Sequence, residues 1–147
     1  MRTRGRMIVI GLLLAADQLS KQLLQDTHSP LIPGLIGISG VRNTGAAFGM
    51  LGGSTWLLAL VSAAASLLML YYLQRHKPRG LFGLGLTLML AGALGNLIDR
   101  VFLGYVIDFL ELQFMRFAVF NLADVYVSLG TLLALIGLLG QKEAAHG

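Results

Sequence analysis

Seven acidic side chains are spread over 147 residues, and four of them, Asp17, Asp99, Asp108 and Asp124, lie within or beside long apolar stretches. An ionisable group held in lipid costs roughly 3 kcal/mol, so such a residue is paired, or it works. Asp17 and Lys21 are four apart with the acid first, which places them on one helix face as an ion pair. That pair either satisfies itself or orients neighbouring polar groups. Gly95-Asn96-Leu-Ile-Asp99-Arg100 and Phe120-Asn121-Leu-Ala-Asp124 each contain Asn-x-x-Asp, a spacing that sets amide and carboxylate on one face. Each Asn can then reach its Asp or a shared partner. Asp99 beside Arg100 reads as an interfacial ion pair, whereas Asp124 stands in an apolar stretch with no adjacent base. Carboxylates crowded in a partly dry site cannot all ionise, and a pair then shares one proton. Such a pair can hydrolyse a peptide: one carboxylate takes a proton from water while its protonated partner polarises the carbonyl. The same acids would also serve a proton or cation path. Cysteine is absent, which removes thiol nucleophiles, disulfides and thiolate metal sites, and His28, His76 and His146 are too scattered for a metal cluster.

The elements that must position these groups follow from composition. The chain is 56% hydrophobic and 12% charged, about half the charge of a soluble domain. At roughly 20 residues per span, this supports four membrane helices in a single domain. They are placed at about 7–24, 54–73, 80–98 and 117–140. The first begins like a signal peptide, but Asp-Gln-Leu-Ser-Lys stands where a cleavage site would be, so it reads as a retained helix. Arg2, Arg4 and Arg6, then Arg75, Lys77 and Arg79, then Lys142 fall on one side of a four-span layout, which makes both termini cytoplasmic. The net charge of +4 and pI near 9.9 thus report topology, not nucleic-acid binding. The first outer segment carries Pro and Gly punctuation and alternation over Leu35 to Val41, which suits short surface strands. The second, Gly104 to Arg116, mixes apolar and acidic residues and reads as an interfacial segment, with Glu111 and Arg116 at headgroup level. Asp26 reads as a turn residue, and Trp56, Tyr105, Tyr71 and Tyr72 fit interfacial aromatic belts. With the fourth span starting near Phe117, Asp124 lies roughly 8–10 Å inside it at helical rise. Asp17, Asp99, Asp108 and Asp124 then share one layer at the outer edge.

As a set, Asp17-Gln-Leu-Ser-Lys21, Arg42-Asn43-Thr-Gly45-Ala-Ala-Phe48-Gly49, Gly95-Asn96-Leu-Ile-Asp99-Arg100, Val106-Ile-Asp108-Phe109 and Phe120-Asn121-Leu-Ala123-Asp124 resemble the five sequence blocks of bacterial lipoprotein signal peptidase, signal peptidase II. Order, spacing and the four-span layout agree over nearly the whole chain. The resemblance implies an all-α membrane protein, four transmembrane helices with a small extracytoplasmic β-sheet platform. It implies an aspartyl endopeptidase of the bacterial inner membrane that removes signal peptides from prolipoproteins, cutting before a cysteine that already bears a diacylglyceryl group. No metal or other cofactor is expected, and the expected form is a monomer among membrane lipids. Spacing alone nominates Asp124 and ranks Asp99 and Asp108 equally; the resemblance places the catalytic aspartates at Asp108 and Asp124. Asp17, Lys21, Asn43, Asn96, Arg100 and Asn121 then form a shell that orients the pair and contacts substrate, with Asn43 and Gly45 on the segment that closes over it. Two rivals stand beside this reading: a small conductor with Asp17, Asp99 and Asp124 as relay groups, and a scaffold in which the acids only pair with Lys21 and Arg100.

Overall fold

The computed structural model describes residues 3–45, 54–115 and 117–146, with side chains as far as Gln141. Its elements run α1 (Thr3–Leu24), β1 (His28–Ile32), β2 (Ile36–Asn43), α2 (Thr55–His76), α3 (Gly80–Phe102), β3 (Val106–Leu112) and α4 (Leu122–His146). Each of the four helices is long and apolar enough to cross a membrane. Their outer flanks keep large apolar side chains such as Leu12, Leu23, Leu60, Leu68 and Leu139 exposed, as lipid-facing helices do. Arg2, Arg116 and residues 46–49 of the second sequence block lie outside the described residues, as does the side chain of Lys142.

The most buried of the helices is α3, which packs against α4, α2 and α1. Ile10, Leu73, Leu90 and Ala91 form the core where α1, α2 and α3 meet. The seam between α3 and α4 is closer. A Cβ on Gly85 would stand 2.5 Å from backbone atoms of Gly130 and Ala134, so the backbones touch where lipid offers no hydrophobic drive for association.

At one end of the bundle the strands form an antiparallel sheet in the order β1-β2-β3. Ile32-Pro33-Gly34-Leu35 joins β1 to β2: the Leu35 N–H donates to Ile32 O at 3.0 Å, and Gly34 has φ +74. Proline second and a left-handed glycine third are what a type II turn requires. The segment 104–116, expected as interfacial, instead contains β3. Its alternation is hidden because Val106 to Phe109 are buried in succession, covered on both faces. On its far edge Leu110 bridges Phe120, with the Leu110 N–H donating to Phe120 O at 2.8 Å.

That bridge also moves the start of the last helix. The fourth span was expected from about Phe117, but α4 begins at Leu122, because 117–120 is drawn out along β3 and Asn121 caps the helix. Asp124 therefore stands in the first turn of α4, not deep within an apolar helix. At the opposite end of the bundle, Arg6 is buried. Its Nη1 donates to Leu73 O at 3.2 Å and its Nη2 to Pro78 O at 2.7 Å.

Candidate active site

The Asn-x-x-Asp unit at the start of α4 builds a reciprocal cap. The Asp124 N–H donates to Asn121 Oδ1 at 3.0 Å, and the Asn121 N–H donates to Asp124 Oδ2 at 3.1 Å. This satisfies two backbone donors at a helix start with the two side chains that the spacing of three supplies. It also fixes the Asn121 amide with its nitrogen outward. Nδ2 then donates to Asp108 Oδ1 at 2.7 Å, to Asn96 Oδ1 at 3.1 Å and to Ile107 O at 3.3 Å. One residue thus ties Asp124 on α4 to Asp108 on β3.

Asp108 reaches this point from the sheet. It pairs with Val41 in the β2–β3 register, and Asn43, diagonal to it on the same face, donates through Nδ2 to Asp108 Oδ2 at 2.9 Å. The Asn43 amide is itself set by the Gly45 N–H, which donates to Asn43 Oδ1 at 2.9 Å. Burial pushes the Asp108 carboxyl up to about 6. Donated hydrogen bonds from Asn43 and Asn121 and the charge of Lys21 oppose that rise, and the charge of Asp124 adds to it.

Behind the pair lies a second set of charges between α1 and α3. Lys21 Nζ contacts Asp17 Oδ2 at 2.9 Å and Asp99 Oδ2 at 3.0 Å, and it donates to Asn96 Oδ1 at 3.1 Å. The other side of the Asn96 amide donates through Nδ2 to Asp124 Oδ1 at 2.8 Å. Asp17 Oδ1 accepts from the Ala123 N–H at 2.9 Å, so a carboxylate of α1 serves the first turn of α4. Gly95 makes this approach possible: a Cβ there would lie 2.6 Å from Asp17 Oδ2.

Asp17, Lys21, Asn43, Asn96, Asp108, Asn121 and Asp124 therefore form one hydrogen-bonded network, and Gly45 joins it through Asn43. Arg100 stands at its rim, its guanidinium 3.5 Å from both Asn96 O and Gly45 O. It does not pair with Asp99, since neighbours on a helix point about 100° apart. Asp99 instead takes Lys21, the Gln18 side chain at 2.9 Å and the Ile107 N–H at 3.2 Å. Gln18 had no role assigned from sequence. Its Nε2 also reaches Asp17 Oδ2 at 3.2 Å and Gly95 O at 3.3 Å, and its only sequence signal was its place between Asp17 and Lys21. Asp26, in the turn after α1, is exposed and outside the network.

A cavity of about 850 Å³ opens in front of this network. Asn43, Asn96, Arg100, Asp108 and Asp124 form its polar head. From there it runs along apolar and small side chains of α2, α3 and α4, among them Val61, Ala65, Ala93, Ser128 and Leu132. Two carboxyls at the head of an apolar groove can bind a peptide bond presented on an apolar segment and share the proton its hydrolysis needs. Among the described residues, no group of three His, Asp or Glu side chains is arranged to hold a metal ion. The four carboxylates gather at one end of the helices, an arrangement that gives a transmembrane conductor no path.

Comparison with known proteins agrees with this chemistry. A family model described as signal peptidase (SPase) II matches residues 9–140. A lipoprotein signal peptidase of Latilactobacillus sakei subsp. sakei is 39% identical over 95% of this chain and 97% of its own. One from Clostridioides difficile is 41% identical over 84% of this chain and 87% of its own. Two solved structures, each described as a bacterial membrane enzyme determined by the in meso method, superpose with TM-scores of 0.88 and 0.83. They share 27% and 30% identity with this chain, covering 95% and 93% of it and 90% and 94% of theirs. A membrane bundle whose acids converge beneath a small sheet, matched along nearly its whole length, thus belongs to the signal peptidase II family, membrane aspartic peptidases that remove signal peptides from prolipoproteins.

Proposed function

We propose that Asp108 and Asp124 are the catalytic pair, and that the chain cuts prolipoproteins just before a diacylglyceryl-modified cysteine. The observation that carries this is Asn121, which holds both carboxyls at the head of the cavity. In this reading the signal peptide lies as a helix in the groove lined by α2, α3 and α4, its lipid chains stay in the bilayer, and the scissile bond meets the pair beneath the sheet. Asp108, pushed up to about 6 by burial, is suited to carry the shared proton. Asp124 takes a proton from water as the water oxygen bonds to the carbonyl carbon, and Asp108 gives its proton to the carbonyl oxygen. The C–N bond then breaks as the departing amine takes a proton from Asp124, and the carbonyl oxygen returns its proton to Asp108. Asp17, Lys21, Gly45 and Asn121 orient the pair from behind, and Asn43, Asn96 and Arg100 also line the approach. The whole chain acts as one membrane domain and as a monomer among lipids. It lies in the bacterial inner membrane with the sheet outside and both termini in the cytoplasm, the side favoured by Arg75, Lys77 and Arg79.

The test is a cleavage assay in nanodiscs with one prolipoprotein, prepared with and without its diacylglyceryl group. Product from the lipidated form alone is expected. Product from both forms would remove the lipid requirement, and product from neither would overturn the proposal.

A further inference from the structure

We infer that Lys21 is a positioning residue that acts on Asp124 through Asn96, by fixing which side of the Asn96 amide faces the catalytic pair; this rests on the function proposed above. Lys21 is 1% exposed, and its ammonium has three N–H donors and no acceptor. All three are engaged, by Asp17 Oδ2, Asp99 Oδ2 and Asn96 Oδ1. Asn96 must therefore turn its oxygen towards Lys21, and a planar amide then aims its nitrogen at Asp124 Oδ1, 2.8 Å away. The reversed amide would set oxygen against oxygen at Asp124 and nitrogen against the ammonium.

The three asparagines of the site differ in what orients them. Asn43 is set by the Gly45 N–H and Asn121 by the Asp124 N–H, both donors of the local backbone. Asn96 lies in the interior of α3, where backbone N–H groups are engaged by the helix itself. The Asn121 amide also donates to Asn96 Oδ1, at 3.1 Å, but that same nitrogen serves Asp108 and Ile107 O. Lys21 is the charged donor, and its charge sets this orientation well below the reversed one in energy. With the amide fixed, Asp124 is held at both oxygens, by Asn96 Nδ2 and by the Asn121 N–H, and its carboxylate plane cannot swing out of line with Asp108. The competing role for Lys21 is charge balance alone, neutralising part of the buried Asp17 and Asp99 charge.

The two roles separate in kinetics on the lipidated prolipoprotein in nanodiscs. Lys21→Met is expected to lower kcat on the order of 100-fold while KM stays within about threefold, because alignment is lost and the groove is untouched. Asp99→Asn/Lys21→Met carries the same net charge as the wild-type cluster, so it folds without the added buried charge of Lys21→Met. It is expected to be as impaired relative to Asp99→Asn as Lys21→Met is relative to wild type. In an Asn96→Ala background, Lys21→Met is expected to cost nothing further, since the amide it orients is gone. Recovery of Asp99→Asn/Lys21→Met to the level of Asp99→Asn would overturn the inference in favour of charge balance. Losses from Lys21→Met and Asn96→Ala that multiply would overturn it too, and so would failure of both Lys21 variants to fold. A wild-type chain that cleaves nothing would instead strike the proposed function.

Discussion

Two sets of carboxylates share one end of this bundle and are treated in opposite ways. Asp17 and Asp99 are sealed between α1 and α3, each within 3.0 Å of the Lys21 ammonium, and are 0% and 2% exposed. Asp108 and Asp124 line the cavity, and among the described residues no lysine or arginine nitrogen pairs with either; their direct partners are neutral amides and one backbone N–H. A buried acid given a cation is spoken for, and its charge becomes part of the frame. A buried acid given only neutral donors keeps a proton equilibrium that a substrate can exploit. Burial alone does not separate Asp108 from Asp99, since the two are equally inaccessible, while Asp124 is half-buried. The identity of the partner does.

The largest expected effect breaks the contrast at the pair that no cation contacts directly. Asp108→Asn and Asp124→Asn should each reduce kcat about 10⁴-fold, as loss of a general acid or base does, with unfolding in detergent little changed. A residual rate within tenfold of wild type for either would move the chemistry elsewhere. At the compensated set the balance reverses. Asp17→Ala takes one of its three partners from the Lys21 ammonium and leaves the Ala123 N–H without its acceptor, and should cost about 3 kcal/mol of stability, read as a lowered midpoint of thermal unfolding.

A third measurement uses pH. Asp108 is raised to about 6 from the ordinary 3.8, so between those values the folded chain holds a proton that the unfolded chain has released. Stability of wild type relative to Asp108→Asn should therefore fall as pH rises from about 4 to about 6 and level off above about 7. A difference that grows with pH would contradict the dominance of burial over the donors and charge around Asp108. The smallest effect lies outside both sets. Arg42 stacks over the Tyr105 ring at 5.3 Å in an exposed position, and Arg42→Gln should change stability by less than about 1 kcal/mol.

Much of this contrast is legible in the sequence, and the limits are physical. The four-residue step from Asp17 to Lys21 fixes a contact within one helix, and so does the three-residue step from Asn121 to Asp124. The equal step from Asn96 to Asp99 does something else: the two share Lys21 and do not bond each other. Contacts between helices depend on rotation about each axis. Periodicity cannot supply that rotation in helices such as α2, which is apolar on every side. The same blindness hid Asp99's true partner behind its neighbour Arg100, and left Gln18 without a role. The strand that carries Asp108 was hidden for a related reason, since burial on both faces erases the alternation by which strands are read.

The buried Arg6 bears on how such a chain comes together. Its two acceptors, Leu73 O and Pro78 O, lie 67 and 72 residues further on, at the turn where α2 gives way to α3. They come within reach only after that hairpin has formed. Until then the first helix has no lodging for its arginine within the bundle, and Lys21, further along the same rod, has no Asp99 to meet. The Arg6 clasp at one end and the Lys21–Asp99 contact at the other thus hold α1 to the same α2–α3 hairpin at both of its ends.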